Sequence, residues 1–335
     1  MSARLIVENA GIGVTAQDFG RPGGRRLGVP LSGALDQTFL AAANLLAGAP
    51  ENAAGLEVLL AAPCFRVESG PLRLGLAGEI SGVLTRANGE TRKLESWRGV
   101  ALRSGDFVAL RLIRAPAYLG FSGGLDLPSF MGSRSTYLRA GFGGISGRAL
   151  AVGDALACAS AKGDVAAAPL KHESGPLRFI PGPQLEHFTP EALAIFTGAD
   201  WRVSGDSDRM GMRLTGPRLA HGPAGANIVS DGATPGAIQV PGDGQPILLR
   251  ADGQTSGGYA KIGCVVTADV CRTAHFTPGD PMRFTAVDHE QAAAARRRQR
   301  DVFALWRTTI GPARDGWDAE KLWSENLISG AFFGD

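Results

Sequence analysis

Lysine is scarce in this chain: of its 34 basic side chains only Lys93, Lys162, Lys171, Lys261 and Lys321 are lysines. None stands in the Gly-Lys-Ser/Thr context of a phosphate loop, and none follows methionine as in a biotin attachment site. Cysteine is as thin. Cys64, Cys158, Cys264 and Cys271 are widely scattered and form no CxxC pair, which argues against a disulfide framework or a thiolate zinc site and for a reducing compartment. The five histidines, at 172, 187, 221, 275 and 289, follow no HExxH or other metal spacing. Each reads as a surface or packing residue, and no metal is expected. A GxSxG elbow is missing too: "GFSGGLD" at 120–126 comes nearest and fails the spacing, although a Ser-His-Asp triad is set by geometry rather than order. No apolar run approaches ~18 residues, and the first residues show neither a basic nor an adequate apolar stretch of a signal peptide. A net charge of +2 calls for neither nucleic acid nor an anionic membrane. These absences leave a soluble, cytoplasmic globular protein as the expectation.

What is plentiful is glycine and proline, 47 and 20 residues, which punctuate the chain at short intervals. Between them lie brief β-like runs, among them 4–8, 55–60, 64–68, 72–78, 106–113, 117–123, 177–182, 201–205, 246–251, 264–270 and 281–287. Many short strands with turn signals between them favour barrels or sandwiches over a doubly wound parallel sheet. Helical patterns are few: 36–48 with Asp36 as N-cap and Gly48 as stop, 189–196 with Pro190 in its first turn, and an Ala/Arg-rich run at 288–307. The small, polar segment 157–176 is the natural boundary. The division expected is a β-rich half over 1–160, a second β-barrel half over 175–290, and a helix and tail over 291–335. In that tail Trp317 and Trp323 offer surface to the body or to a partner.

Three polar, glycine-rich clusters stand out. In 15–37, Gln17, Asp18, Arg21 and Asp36 sit among glycines that let a ligand approach closely; the plainer reading is a local Asp18–Arg21 ion pair and a helix cap at Asp36. In 132–154 an Arg/Ser/Thr/Tyr group precedes "GFGGISG", which lacks the strand–GxGxxG–helix context of a dinucleotide site. In 204–219, Arg209 and Arg213 beside Asp208 suit a carboxylate, whether a substrate's or that of a neighbouring aspartate, as in an internal Asp208–Arg213 brace.

Four motifs then occur in one order: "GVTAQDFGRPGGRRLGVPLSGALD" (13–36), "FSGGLDLPSFMGSRSTY" (121–137), "SDRMGMRLTG" (207–216) and "VPGDGQPILLRADGQTSGGY" (240–259). Together they resemble the biotin-dependent carboxyltransferase-like proteins, also called allophanate hydrolase subunit 2-like. That family covers the C subunit of bacterial 5-oxoprolinase and one half of the carboxyltransferase region of urea carboxylase. The resemblance implies cyclophilin-like β-barrels in a mainly β fold of two related halves, with a few short helices and a C-terminal helix. It implies two partners, a B-like subunit (allophanate hydrolase subunit 1-like) and an A-like subunit. The three would act together in ATP-dependent opening of the lactam of 5-oxo-L-proline to L-glutamate. ATP would be consumed by the complex rather than on a recognisable loop of this chain. Two alternatives stay open: the carboxyltransferase half of a urea or amide carboxylase, with biotin carried by another chain, and a non-enzymatic regulator that binds a kinase-inhibitor-like partner.

The resemblance maps a shared pocket onto Gln17, Asp18, Arg21, Asp36, Asp208, Arg209, Gln239, Gln245, Asp252, Gln254, Thr255 and Tyr259. The substrates it implies are amides or ureido groups, each a C=O beside N–H donors. A glutamine side chain pairs with such a group without adding charge, so Gln17, Gln239, Gln245 and Gln254 are candidate readers. Asp18, Asp36 and Asp252 are candidate catalytic carboxylates, since a carboxylate can orient or deprotonate the N–H. Arg21, Arg209 and Arg213 are candidates to hold a carboxylate, beside Asp208, Thr255 and Tyr259 on the pocket wall.

Overall fold

The computed structural model describes residues 2–313; Trp317, Trp323 and the rest of the tail lie outside them. Short strands dominate and assemble into an 11-stranded sheet, an 8-stranded sheet and a 2-stranded ribbon. The mainly β expectation, with few helices and one long helix near the C-terminus, agrees with this. Among the described residues no helix is long and apolar enough to cross a membrane.

The first sheet is built on the antiparallel pair Leu72–Thr85 and Phe107–Phe121. The runs 106–113 and 117–123, separate in the sequence reading, are one strand here. Ala115 and Pro116 fall where the register shifts, so the missing proline N–H interrupts no regular ladder. Beyond them Ala117, Tyr118 and Leu119 pair with Val58, Glu57 and Leu56 of the strand Gly55–Ala61. Leu5, Val14, Leu56, Phe65, Leu74 and Phe121 are buried in its apolar core.

The second sheet runs through Leu177–Pro181, Trp201–Val203, Gly211–Thr215, Ala237–Gln239, Ile247–Leu249 and Lys261–Val265, around Phe179, Trp201, Met212 and Leu248. The ribbon pairs Asn227–Gly232 with Ser256–Tyr259. The apolar run 264–270, expected as one strand, stops at Val265 and turns into a helix. Asp269 is the reason: its buried carboxylate accepts from Arg178 N at 2.8 Å and from Arg178 Nη2 at 2.6 Å, which a straight strand would not allow.

Among the described residues four α-helices complete the fold: α1 (Gln37–Ala47), α2 (Pro190–Gly198), α3 (Thr267–Val270) and α4 (His289–Arg307). Asp36 caps α1 and Gly48 ends it with φ 80°, as its sequence signals imply. α1 is rich in alanine because it lies directly on sheet backbone. A Cβ at Gly75 or Gly120 would collide with the carbonyl oxygen of Ala43. That close approach fixes the N-terminus of α1, and so Asp36, at the junction between the sheets. α4 begins with a capping box of Asp288 and Gln291 and ends back on the first sheet. There Trp306 Nε1 donates to Ala168 O at 2.7 Å, and Gly311–Pro312 pairs with Val165–Ala166.

Candidate functional site

The two sheets meet over a run of charged and polar side chains that are almost wholly buried. Glu57, the one acidic residue in the apolar run "GLEVLL", sits at its middle with no exposed surface. The Arg209 guanidinium pairs with Glu57 Oε1 through Nη1 and donates to Asp252 Oδ2 at 2.8 Å and Oδ1 at 3.3 Å. Its Nη2 also donates to Gly33 O at 2.6 Å, so one arginine binds three chain segments. Glu57 Oε2 accepts from Leu35 N at 2.7 Å and from the Tyr118 hydroxyl at 2.8 Å. The Tyr118 oxygen in turn accepts from Asp36 N at 2.8 Å.

Asp36 ends this run with its two oxygens divided. Oδ1 accepts from Thr38 N at 2.9 Å and Phe39 N at 3.1 Å, which is its helix-capping role. Oδ2 lies 2.5 Å from His172 Nε2 and 2.7 Å from His275 Nε2. His172 comes from the linker between the sheets and His275 from the turn after α3, so three distant segments converge on one oxygen. Phe39, in the first turn of α1, orients both rings: His172 stacks on it at 4.9 Å, and His275 meets it edge-on at 4.9 Å.

Burial and charge pull against each other here, and charge wins. Burial lowers Arg209, but the carboxylates of Glu57 and Asp252 raise it above its ordinary value. Burial raises the Asp36 carboxyl, but His172 and His275 hold it well below the usual range. Burial lowers His172, and the Asp36 carboxylate more than reverses that. Tyr118 is pushed well above its ordinary value by burial and by Glu57 and Asp36, so it stays a neutral donor.

His172 and His275 face a cleft of about 810 Å³ where the two sheets meet. Phe39, Trp97 and Phe276 give it an aromatic side, and Arg114, Lys171 and Arg272 give it cations. Asp36 lies behind the two imidazoles, fully buried.

Asp36, Arg209 and Asp252, singled out in the sequence, thus share one network. Both oxygens of Asp252 accept from Arg209, so the carboxylate holds that guanidinium. Asp18 is not in an ion pair with Arg21. Its oxygens accept from Gly20 N at 2.8 Å, Ser133 Oγ at 2.6 Å and Arg134 N at 2.6 Å, which ties the 18–20 loop to 133–135. Arg21 stacks on Phe142 at 5.0 Å and donates to the carbonyls of Phe130 and Ser135, while burial pushes it below its ordinary value.

A second polar group forms where the 24–27 turn meets the 254–255 loop. Arg25 Nη2 donates to Gln254 O at 3.1 Å and Thr255 O at 3.4 Å, and Gln254 Nε2 donates to Gln239 Oε1 at 2.9 Å. Five buried atoms of these segments have no hydrogen-bond partner among the described residues: Gln17 Oε1, Arg21 Nη1, Arg25 Nη1, Ser32 Oγ and Gln239 Nε2. Ser32 also holds φ at 54°, a left-handed conformation rare outside glycine. Tyr259 is 42% exposed on the ribbon.

Three expected site residues lie apart from both groups. Gln245 mimics a backbone partner for Gly216, accepting from its N at 2.9 Å and donating to its O at 3.2 Å. Asp208 closes its own loop by accepting from Met210 N at 2.8 Å and Gly211 N at 3.1 Å. Arg213 points to solvent, so the internal Asp208–Arg213 brace does not form.

The sequence reading missed Glu57, Tyr118, Arg25 and above all the two histidines, which it treated as isolated. Glu57 had a signal, a charge inside an otherwise apolar strand. The histidines had none, since 136 and 239 positions separate them from Asp36.

The model for the carboxyltransferase domain, subdomain A and B, matches residues 27–286. The chain is 35% identical over 314 residues to the 5-oxoprolinase C subunit of Escherichia coli (strain K12), covering 90% of this chain and 98% of that protein. Against the 5-oxoprolinase C subunit of Haemophilus influenzae it is 34% identical, covering 85% of this chain and 91% of that one. Among solved structures, the urea amidolyase of K. lactis superposes with a TM-score of 0.80 at 26% identity over 90% of this chain. The present chain spans only 20% of that much longer protein.

Proposed function

Since the chain belongs to the carboxyltransferase domain, subdomain A and B, family, we propose that it is the C subunit of an ATP-dependent 5-oxoprolinase. With A-like and B-like subunits it opens the lactam of 5-oxo-L-proline to L-glutamate. The observation that carries this reading is the nearly end-to-end likeness to two 5-oxoprolinase C subunits.

We place such a substrate at the junction between the sheets. In this reading the lactam lies in the cleft against His172 and His275, with Asp36 behind them. The substrate carboxylate turns to the cations of the wall, Arg114, Lys171 and Arg272. Of the three carboxylates expected to be catalytic, we keep that role for Asp36 in this reading. Asp18 and Asp252 act as positioning residues for the 133–135 loop and for Arg209. Gln239, Gln254 and Arg25, with Gln17 and Arg21 beneath them, form a second polar face whose unpartnered atoms suit an amide or carboxyl group. Leu27, Val229 and Tyr259 are exposed on the same turn and ribbon, and this apolar surface is where we place a partner of the complex. ATP use belongs to the complex.

The deciding assay is 5-oxoproline-dependent ATP hydrolysis by A-like and B-like subunits with and without this chain. Turnover should require it; equal turnover in its absence removes the reading. The likeness to K. lactis urea amidolyase favours one other reading, transfer of carboxylate from carboxybiotin to urea or another amide. Urea-dependent consumption of carboxybiotin, with no 5-oxoproline turnover, would replace the first reading with the second.

A further inference from the structure

We propose that Asp36, His172 and His275 bind one divalent transition-metal ion of the zinc class, with an open coordination position turned to the cleft. The ligand atoms of these three residues lie within 4.8 Å of one another. Two imidazole nitrogens and a carboxylate oxygen are a donor set that suits zinc and its first-row neighbours. Three protein ligands with a fourth position open are the arrangement of catalytic rather than structural zinc sites. Here the open side is defined. Asp36 Oδ2 lies at the back with no exposed surface, while the His172 and His275 side chains keep 16% and 25% of theirs, on the cleft.

Both imidazoles reach one oxygen of Asp36 through Nε2, at 2.5 and 2.7 Å, while the other oxygen caps a helix. That oxygen has a lone pair for each ring. A cation that replaces the two protons is held by the same three atoms once they draw apart to metal–ligand spacing. The surroundings are built to hold the ligands still. The N-terminal amides of α1 fix Asp36, and Phe39 packs against both rings.

Three of the positive features that face the site are offset. The positive end of α1 is taken up by Asp36 Oδ1, which leaves Oδ2 to the metal. Arg272, which opposes positive charge on His172, is paired with Asp269 at 3.1 Å and donates to the carbonyls of Gly175 and Pro176. Arg114 is drawn toward Asp280 at 3.4 Å. The nearby Cys271 thiol is not among the ligand atoms that lie within 4.8 Å of one another.

Only the use of the open position rests on the oxoprolinase reading: it would polarise the lactam carbonyl as a Lewis acid. The metal itself is tested on the full chain without substrate. Chelator-stripped protein is dialysed against Zn²⁺ and the bound metal counted; Co²⁺ is then used as a visible-absorbing replacement. One ion per chain and a ligand-field band are expected. Asp36→Asn keeps a good helix cap, so it separates ligand loss from unfolding. His172→Ala and His275→Ala should each weaken Zn²⁺ by more than the roughly 100-fold that losing an outer partner costs, while His221→Ala should bind as the parent does. Absence of stoichiometric metal, or undiminished binding in both histidine variants, overturns the site. Because these readouts need no turnover, they can fail while 5-oxoproline-dependent ATP hydrolysis succeeds, and the reverse. A Co²⁺ band that 5-oxoproline leaves unshifted overturns the open position toward the substrate.

Discussion

One buried polar run has two different ends. At the Asp252–Arg209–Glu57 end each guanidinium nitrogen meets an acceptor, and both carboxylates are taken. At the Asp36–His172–His275 end one carboxylate oxygen serves two imidazoles, and the imidazoles reach a cleft. Both ends carry buried charge at the same junction, and both shift ionisation away from ordinary values. The difference is closure. A fully paired buried charge leaves nothing for a ligand and serves as a brace, whereas an incompletely enclosed one keeps valence for chemistry.

Breaking the closed end should cost the most. Arg209→Met leaves Glu57 and Asp252 buried without their partner, and about 3–5 kcal/mol of stability should be lost in urea unfolding. A loss under ~1 kcal/mol would mean that the closed end is no brace. A second closed pair sharpens the point. Asp269 is raised by burial but held below its ordinary value of 3.8 by Arg178 and Arg272. Its contribution is therefore complete above that value and disappears as pH falls through the lower folded one. Asp269→Asn should cost ~2 kcal/mol at neutral pH, and the cost should shrink on acidification below 3.8. A pH-independent cost would show that the carboxylate charge is not what binds α3 to its strand. The smallest effect belongs to an expected site residue that lies apart. Arg213→Ala should change stability by no more than ~0.5 kcal/mol and leave turnover of the assembled complex unaltered. A large fall in turnover would return Arg213 to the site.

How legible this was in the sequence followed from the range of the forces involved. The ends of α1 and α4 were legible because a cap is a local bond: Asp36 with Thr38, Asp288 with Gln291. Strands were legible as apolar runs between turns, but the reading failed where a distant partner decided the outcome. The strand Phe107–Phe121 runs through Pro116 because the register shift of its neighbour accommodates it. The run 264–270 bends because Asp269 reaches Arg178, 91 positions away. Within the site, Asp36, Arg209 and Asp252 were found through motifs. His172 and His275 were not, because ordinary residues flank them and only the meeting of the two sheets brings them to Asp36.

The most direct test is His172→Ala in this chain, assembled with A-like and B-like subunits, with 5-oxoproline-dependent ATP hydrolysis and thermal stability read on the same sample. The two-ended junction predicts a loss of turnover of about 10²-fold or more with a smaller fall in melting temperature than Arg209→Met causes. Parental turnover in that variant, or turnover lost only in step with unfolding, would contradict it.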